Sequence, residues 1–326
     1  MKKLSGWQKV GLFAGIGCFS FVALLVAGFA IAVFYAKSTL ADLGDTTPTR
    51  VERAIPIEPL EPPAAVAAPS GAAPQAGEAP GAMQLIVDLQ EGSFDIEPGE
   101  PNGRVQVEGR FSEALYELTH DTETRDGTTR TTIRFRSKAP GWARLLAGVG
   151  GEGEDSPRLT LRLPPAVPID LSLNVRMGES YIELGGLTLS DLGLDLSMGN
   201  HRVDFRKPVA ANVGRVRLNA RMGNVTVDNL GNARARSVDA SGSMGNLIAD
   251  LGGEWQPGSE AELSFTQSMG EVRVRVPSRV RLEADVRDSE GTPRSVPESD
   301  QPTDPNAPII KLRVSTSMGE GRVTRY

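Results

Sequence analysis

Apolar and polar residues alternate with period two through most of the C-terminal half of the chain, and the alternation breaks and restarts at a fixed dipeptide. Ahead of each break the apolar residues stand six, four and often two positions before a methionine. Leu171, Leu173 and Val175 precede Met177; Leu192, Leu194 and Leu196 precede Met198; Val216, Leu218 and Ala220 precede Met222. Weaker units keep the first two places, as Val238 and Ala240, Leu263 and Phe265, and Leu312 and Val314. After the methionine the apolar set moves to +3, +5 and +7, as Leu247, Ala249 and Leu251, or Val272, Val274 and Val276. Other units keep two of these places: Val225 and Val227, Ile182 and Leu184, Val203 and Phe205. Period-two alternation predicts strands with one buried face. The set is even before the methionine and odd after it, and one residue of offset turns every side chain to the other face. A bulge or corner is therefore predicted between two strands. The glycine that follows each methionine suits such a corner, because it tolerates positive φ.

The dipeptide occurs six times, as Met177-Gly178, Met198-Gly199, Met222-Gly223, Met244-Gly245, Met269-Gly270 and Met318-Gly319, at spacings of 21, 24, 22, 25 and 49 residues. A period of this size marks a repeat architecture whose units close a core only by stacking. The predicted fold is all-β, a β-solenoid-like domain of about 21–25 residues per unit,. Each unit has two strands and a connecting side carrying turn residues such as Gly185-Gly186 and Lys207-Pro208,. Parity makes each methionine the last inward residue of its first strand, a gap-filling core position. The competing reading is a thioether track for copper(I). The template also matches Leu85, Val87 and Leu89, then Glu91-Gly92, then Phe94 and Ile96, which starts the domain near residue 84. In the long interval Val280, Leu282, Ala284 and Val286 match −6, −4, −2 and zero, and a polar insertion follows over 288–308. Residues 84–162 are less regular. Asp126-Gly127 has the chemistry of a hairpin turn,. The glycine-bounded stretch 141–151 reads as a plug over the core end or as an exposed contact patch,.

Bulk properties narrow the chemistry. The chain has 326 residues, 39% hydrophobic and 5% aromatic, with 36 glycines and a net charge of −6. Nothing resembles the basic footprint of a nucleic-acid binder. One cysteine, Cys18, excludes an intramolecular disulfide, and two histidines, His120 and His201, leave no imidazole cluster for a metal or a catalytic base,. No phosphate loop, dinucleotide fingerprint, nucleophile elbow or zinc motif is present. The expectation is a non-enzyme without catalytic residues, cofactor or assigned metal.

No charge falls between Lys9 and Lys37, and the apolar run over 10–35 exceeds the roughly 20 residues that span a bilayer,. It is also longer than the apolar part of a cleaved signal peptide, about 7–15 residues. Lysines 2, 3 and 9 precede it, which predicts a cytoplasmic segment 1–9, a transmembrane helix 10–36 and an extracytoplasmic remainder, single-pass in a bacterial cytoplasmic membrane,. Residues 37–83 are rich in Pro, Ala and Glu and read as a disordered linker,. The β-repeat domain is then 84–326, with the regular units over 163–326.

Stacking in register would align Glu183, Asp204, Asp228 and Asp250 at +6, about 4.8 Å apart,. Four adjacent carboxylates require arginine screening, a divalent cation, or a stack that is not in register. Arg202, Arg273 and Arg322 at +4 favour screening. Position +2 aligns Glu179, Asn200, Asn224, Asn246, Glu271 and Glu320, and asparagine ladders bond between rungs,.

The run LPPAVPIDLSLNVRMGESYIELGGLTLSDLGLDLSMGNHRVDF, over 163–205, resembles the bacterial toast-rack or "putative adhesin" β-repeat domains. The likeness lies in a Pro-rich entry, a Gly-centred alternating unit and a Gly-Gly-Leu turn into the next unit. It covers roughly 84–326 and is strong over 163–326. The resemblance implies an extracytoplasmic β-solenoid-like domain without known catalytic residues, in membrane-anchored proteins linked to the Lia-type envelope stress response. One anchor and a long linker set this chain apart from multi-span members. The expected function is a non-enzymatic, membrane-tethered envelope scaffold whose repeat surface binds protein or cell-wall polymer. The alternative is a regulatory module acting through a partner membrane protein, and self-association through the ends of the stack is a further possibility.

Overall fold

The computed structural model describes residues 28–35, 38, 47–56, 83–125, 128–138, 156–287 and 301–326. The cytoplasmic segment, most of the predicted membrane helix, most of the linker, Asp126-Gly127, the 141–151 stretch and 288–300 lie outside these residues. Residues 28–35 are helical, and among the described residues no helix is long and apolar enough to cross a membrane.

Each repeat is one long strand bent at Met-Gly. β8 (Ile169–Glu183), β9 (Leu189–Asp204), β10 (Arg215–Asp228), β11 (Ser237–Asp250) and β12 (Glu260–Val276) stack in parallel, in that order. Met177 faces Met198, Met198 faces Met222, Met222 faces Met244, and Met244 faces Met269. The glycines keep the same register. β14 (Ile309–Met318) and β15 (Gly321–Arg325) pair with the two halves of β12 and form a last bent rung. At the other end β2 (Met83–Leu89) and β3 (Gly92–Pro98) pair with the two halves of β8, with Gly92 opposite Gly178. The methionine-free unit read at Leu85 to Ile96 is therefore a true rung.

The core lies inside the bend. Leu192, Leu194, Val216 and Leu218 of the first half-strands face Val203, Phe205 and Val227 of the second halves across a void of about 10 Å3. This residual space is smaller than a water molecule occupies, so the two halves interdigitate. The parity change serves this closure. Without it, one half-strand would present its polar set to the other.

The corner is built on glycine. Gly92, Gly178, Gly199, Gly223, Gly245, Gly270 and Gly319 all have φ between +114° and +144°. A Cβ at Gly223 would lie 2.0 Å from the carbonyl oxygen of Gly199, and one at Gly199 would lie 1.7 Å from that of Gly178. Both conformation and space exclude a side chain along this column.

The methionines differ from the sequence reading. Each core column ends two places earlier, at Val175, Leu196 or Ala220. Met177, Met198, Met222, Met244, Met269 and Met318 are instead exposed, at 38% to 61%. Strict alternation fails here because the chain turns at the following glycine, which leaves the residue before it on the outside of the corner.

The N-terminal part is less regular, as expected. β5 (Tyr116–Arg125) and β6 (Thr128–Ser137) form an antiparallel pair with Arg125 opposite Thr128, and β6 extends the stack beyond β2. β7 (Arg158–Leu163) does so beyond β3 and is flanked by β4 (Arg104–Phe111). Residues 49–56, read as linker, form a strand, β1 (Thr49–Pro56), antiparallel to β4 with Ile55 buried. Ile55 is its one buried residue, so no alternation marks the strand within the Pro/Ala-rich composition around it.

The other end also corrects the reading. β13 (Arg281–Arg287) pairs with β14 so that Val286 faces Val314, not Met318. Val286 therefore does not take the methionine place, and the strand lies four residues from the register read in the sequence. β13 is an edge strand, and its outer backbone is partly satisfied. Leu282 N–H donates to Gln301 Oε1 at 2.8 Å, and Gln301 Nε2 donates to the Leu282 carbonyl at 2.7 Å. One amide side chain thus imitates a strand neighbour and blunts the edge.

Candidate functional site

The +6 carboxylates do align. Glu183 pairs with Asp204, and Asp204 with Asp228, in the parallel register. They are neutralised within the protein. Arg206 Nε lies 3.3 Å from Glu183 and 3.4 Å from Asp204, Arg202 Nε 2.8 Å from Asp228, and Arg275 Nη1 3.5 Å from Asp250. Backbone N–H groups of Gly185 and Arg206 donate to Glu183 Oε1, and Asn229 Nδ2 donates to Asp204 Oδ1. Tyr326 donates to Asp250 Oδ1 at 2.7 Å; burial and this bond push its phenol up to about 12. With these partners the column is an internal network screened by arginine, but of the +4 arginines only Arg202 serves it; Arg273 and Arg322 pair with Glu271 and Glu320 at +2. Among the described residues no group of three or more His, Cys, Asp or Glu is arranged to hold a metal ion.

The +2 column forms the ladder read from the sequence. Asn224 Nδ2 donates to Asn200 Oδ1 and Asn246 Nδ2 to Asn224 Oδ1, each at 3.0 Å. It runs beside the exposed methionines on the same outer corner.

A second feature escaped the sequence reading. Outward residues on either side of the apolar −6 position of the first half-strands, at −5 and −7, with their neighbours, line two open cavities of about 710 Å3 each. They share Arg215, Ser237 and Glu262 and so form one groove across several rungs. Asp191, Arg217, Arg236 and Glu260 line one part, and Asp239, Glu283, Asp285, Lys311 and Arg313 the other. Lys311 pairs with Glu260. Arg215, Arg217 and Arg236 have no ion-pair partner among the described residues, so their guanidinium groups can bind a ligand. The signal was present in the sequence as charged residues alternating with the core positions. It was indistinguishable there from an ordinary solvated face.

His201 is placed unexpectedly in the core at +3, where other rungs have Val225, Leu247 and Val272, and is 2% exposed. Its Nδ1 lies 2.9 Å from Ser180 Oγ, and Nε2 has no hydrogen bond of normal geometry although the Ser197 carbonyl is close enough to favour its protonation. Burial dominates and holds the imidazole below the ordinary histidine range,. Ser180 is buried as well, so the pair is a packing contact and not an accessible nucleophile. Because the folded pKa is depressed, His201 supports stability above the ordinary histidine pKa, and this support is lost as pH falls through that range. His201→Val should therefore flatten the acid side of the stability profile. Thermal denaturation from about pH 7.5 to about pH 5 checks this, with an unchanged slope counting against it.

These features define a class: an all-β repeat domain of bent parallel strands stacked around a glycine corner. Residues 75–228 match the family described as the N-terminal domain of toast_rack, DUF2154. Over this region, just under half of the chain, it is similar to the toast-rack family. No curated protein matches the sequence. Among solved structures, a "putative cell adhesion protein" from Clostridium sporogenes is 10% identical, with a TM-score of 0.40 over 86% of this chain and 100% of that one. A "putative adhesin" from Bacteroides fragilis is 13% identical, with a TM-score of 0.32 over 85% and 97%. A "putative lipid binding protein" from Parabacteroides distasonis is 12% identical, with a TM-score of 0.35 over 87% and 98%.

Proposed function

We propose that this protein is a non-enzymatic, membrane-tethered component of a bacterial cell envelope whose stacked rungs form an adhesin-like binding scaffold. The uncharged run over 10–35 supplies the anchor, with residues 1–9 on the cytoplasmic side and the toast-rack domain outside,. The observation that carries the binding reading is the groove shared by β9 to β14. It is long, open and lined by both signs of charge, and among the described residues four of its arginines, Arg215, Arg217, Arg236 and Arg313, have no ion-pair partner. Such a surface suits an extended partner carrying carboxylates and amines, the chemistry of a cell-wall peptide or an unfolded protein segment. Arginine forks hold carboxylates in bidentate fashion, and an open groove admits a polymer where a closed pocket would not.

The full chain in detergent should co-sediment with purified cell-wall sacculi. Arg215→Glu with Arg217→Glu should weaken this at least about tenfold, the loss of roughly 1.4 kcal/mol, without lowering thermal stability. Sedimentation unaffected by the double substitution would remove the groove as the binding face.

A further inference from the structure

We propose that the exposed methionine column binds soft monovalent metal ions, of the copper(I) and silver(I) class, between adjacent thioethers. The sequence reading set this aside because an inward methionine needs only a packing explanation. The structure removes that premise. All six methionines are on the outside of the corner, and the core is complete without them.

What remains is a position that is methionine in six rungs and exposed in all six. Its neighbours vary. The preceding residue is Arg176, Ser197, Arg221, Ser243, Ser268 or Ser317, and position +2 is Asn or Glu. An apolar cover for the corner would be served as well by valine or isoleucine, which are better strand formers. Methionine differs from these in its thioether sulfur and in the freedom of its side chain.

The geometry suits the chemistry. Methionines of successive rungs are direct register partners from Met177 to Met318, so their strands are about 4.8 Å apart. A metal–sulfur bond is about 2.3 Å, as in zinc–thiolate sites, so two sulfurs on one ion are at most about 4.6 Å apart. Adjacent thioethers therefore reach a shared ion with small rotations of a flexible side chain. Thioethers select soft ions and bind calcium, magnesium and zinc poorly.

The best place is the run Met244, Met269 and Met318. Each has a serine before it, whereas Arg176 and Arg221 place cations beside Met177 and Met222. Glu271 and Glu320 stand two places beyond Met269 and Met318, and their charge adds a favourable field,. Met269 shares one ion with either neighbour, Met244 or Met318, and the column can take a further ion at its other end.

The experiment is a silver(I) titration of the full chain in chloride-free detergent buffer, in a Cys18→Ser background that removes the lone thiol. At least one ion per chain should bind, with an affinity unchanged between about pH 7 and about pH 5, because a thioether carries no proton to lose. Met244→Leu, Met269→Leu and Met318→Leu together conserve volume, so the domain should stay folded by circular dichroism. First-ion binding should then weaken at least about tenfold, or 1.4 kcal/mol. Equal affinity in the triple variant overturns the proposal. Binding that disappears at the lower pH also overturns it, since that is the behaviour of histidine or carboxylate ligands. Loss of silver binding leaves the groove reading untouched, because sacculus sedimentation of the same variant measures that face separately.

Discussion

Gly223→Ala is expected to destabilise the domain by at least about 4 kcal/mol, in the range reserved for disrupted cores and strained backbones. Two costs add. The residue sits at φ +140°, a region that L side chains adopt only under strain of about 1–3 kcal/mol,. The new methyl would also stand 2.0 Å from the Gly199 carbonyl oxygen, which is backbone and held in register by the strands on both sides. Neither rung can move without opening its core. Gly186→Ala is the control. Gly186 also has positive φ, at +79°, but no atom lies within 4 Å of its added Cβ. It should cost only about 1 kcal/mol, the backbone term alone. Urea denaturation of the two variants measures the difference, and equal midpoints would mean that the glycine corner is not closely packed. Because each rung touches only its neighbours, proteolysis of Gly223→Ala should begin near β9 and β10.

The second large effect is expected at Phe135. It stands at the centre of the only aromatic cluster among the described core residues, 5.0 Å from Phe111 and 6.2 Å from Phe94 in edge contacts, and stacked on Tyr116 at 5.2 Å. These rings come from β3, β4, β6 and the start of β5, so one side chain joins four strands of the irregular end. Phe135→Ala should cost about 3–5 kcal/mol, as for large core aromatics generally. The loss should appear as earlier unfolding of β1 to β7, with β9 to β12 still protected from hydrogen exchange. Uniform loss of protection would show that the stack unfolds as one unit.

The regular rungs were legible because a solenoid repeats its local rules. Leu192, Leu194 and Leu196 state a buried face with period two, and the glycine after Met198 states a corner. The register was posed but not fixed by the sequence, which left a stack out of register open; the ladder of Asn200, Asn224 and Asn246 shows that the rungs align. The acidic column posed a question that sequence could frame but not answer. Whether Glu183 and Asp204 are screened depends on the reach of Arg206 and Asn229 across a turn. β1 was missed because Ile55 is its one buried residue, too little for a pattern.

The site was less legible than the fold. Arg215, Arg217 and Glu262 were visible as outward positions, but a groove is a property of a curved surface and not of a single strand. His201 read as an isolated histidine, because its own unit shows apolar residues only at Val203 and Phe205, and nothing local shows that Ser180 lies one rung away.

The amino-acid sequence by itself determined the all-β class, the repeat, the inward columns and the corner at Met-Gly. All of these follow from period, parity and the conformational freedom of glycine, which act within one rung. Only the tertiary structure decided on which side of the corner each methionine lies, which charges neutralise one another and which stay free. Those outcomes depend on the direction of the turn and on contacts between rungs more than 20 residues apart, as Arg202 with Asp228. A period-two pattern specifies the faces of a straight strand. It does not specify the face of the residue at which the strand stops being straight, and here that residue is the methionine.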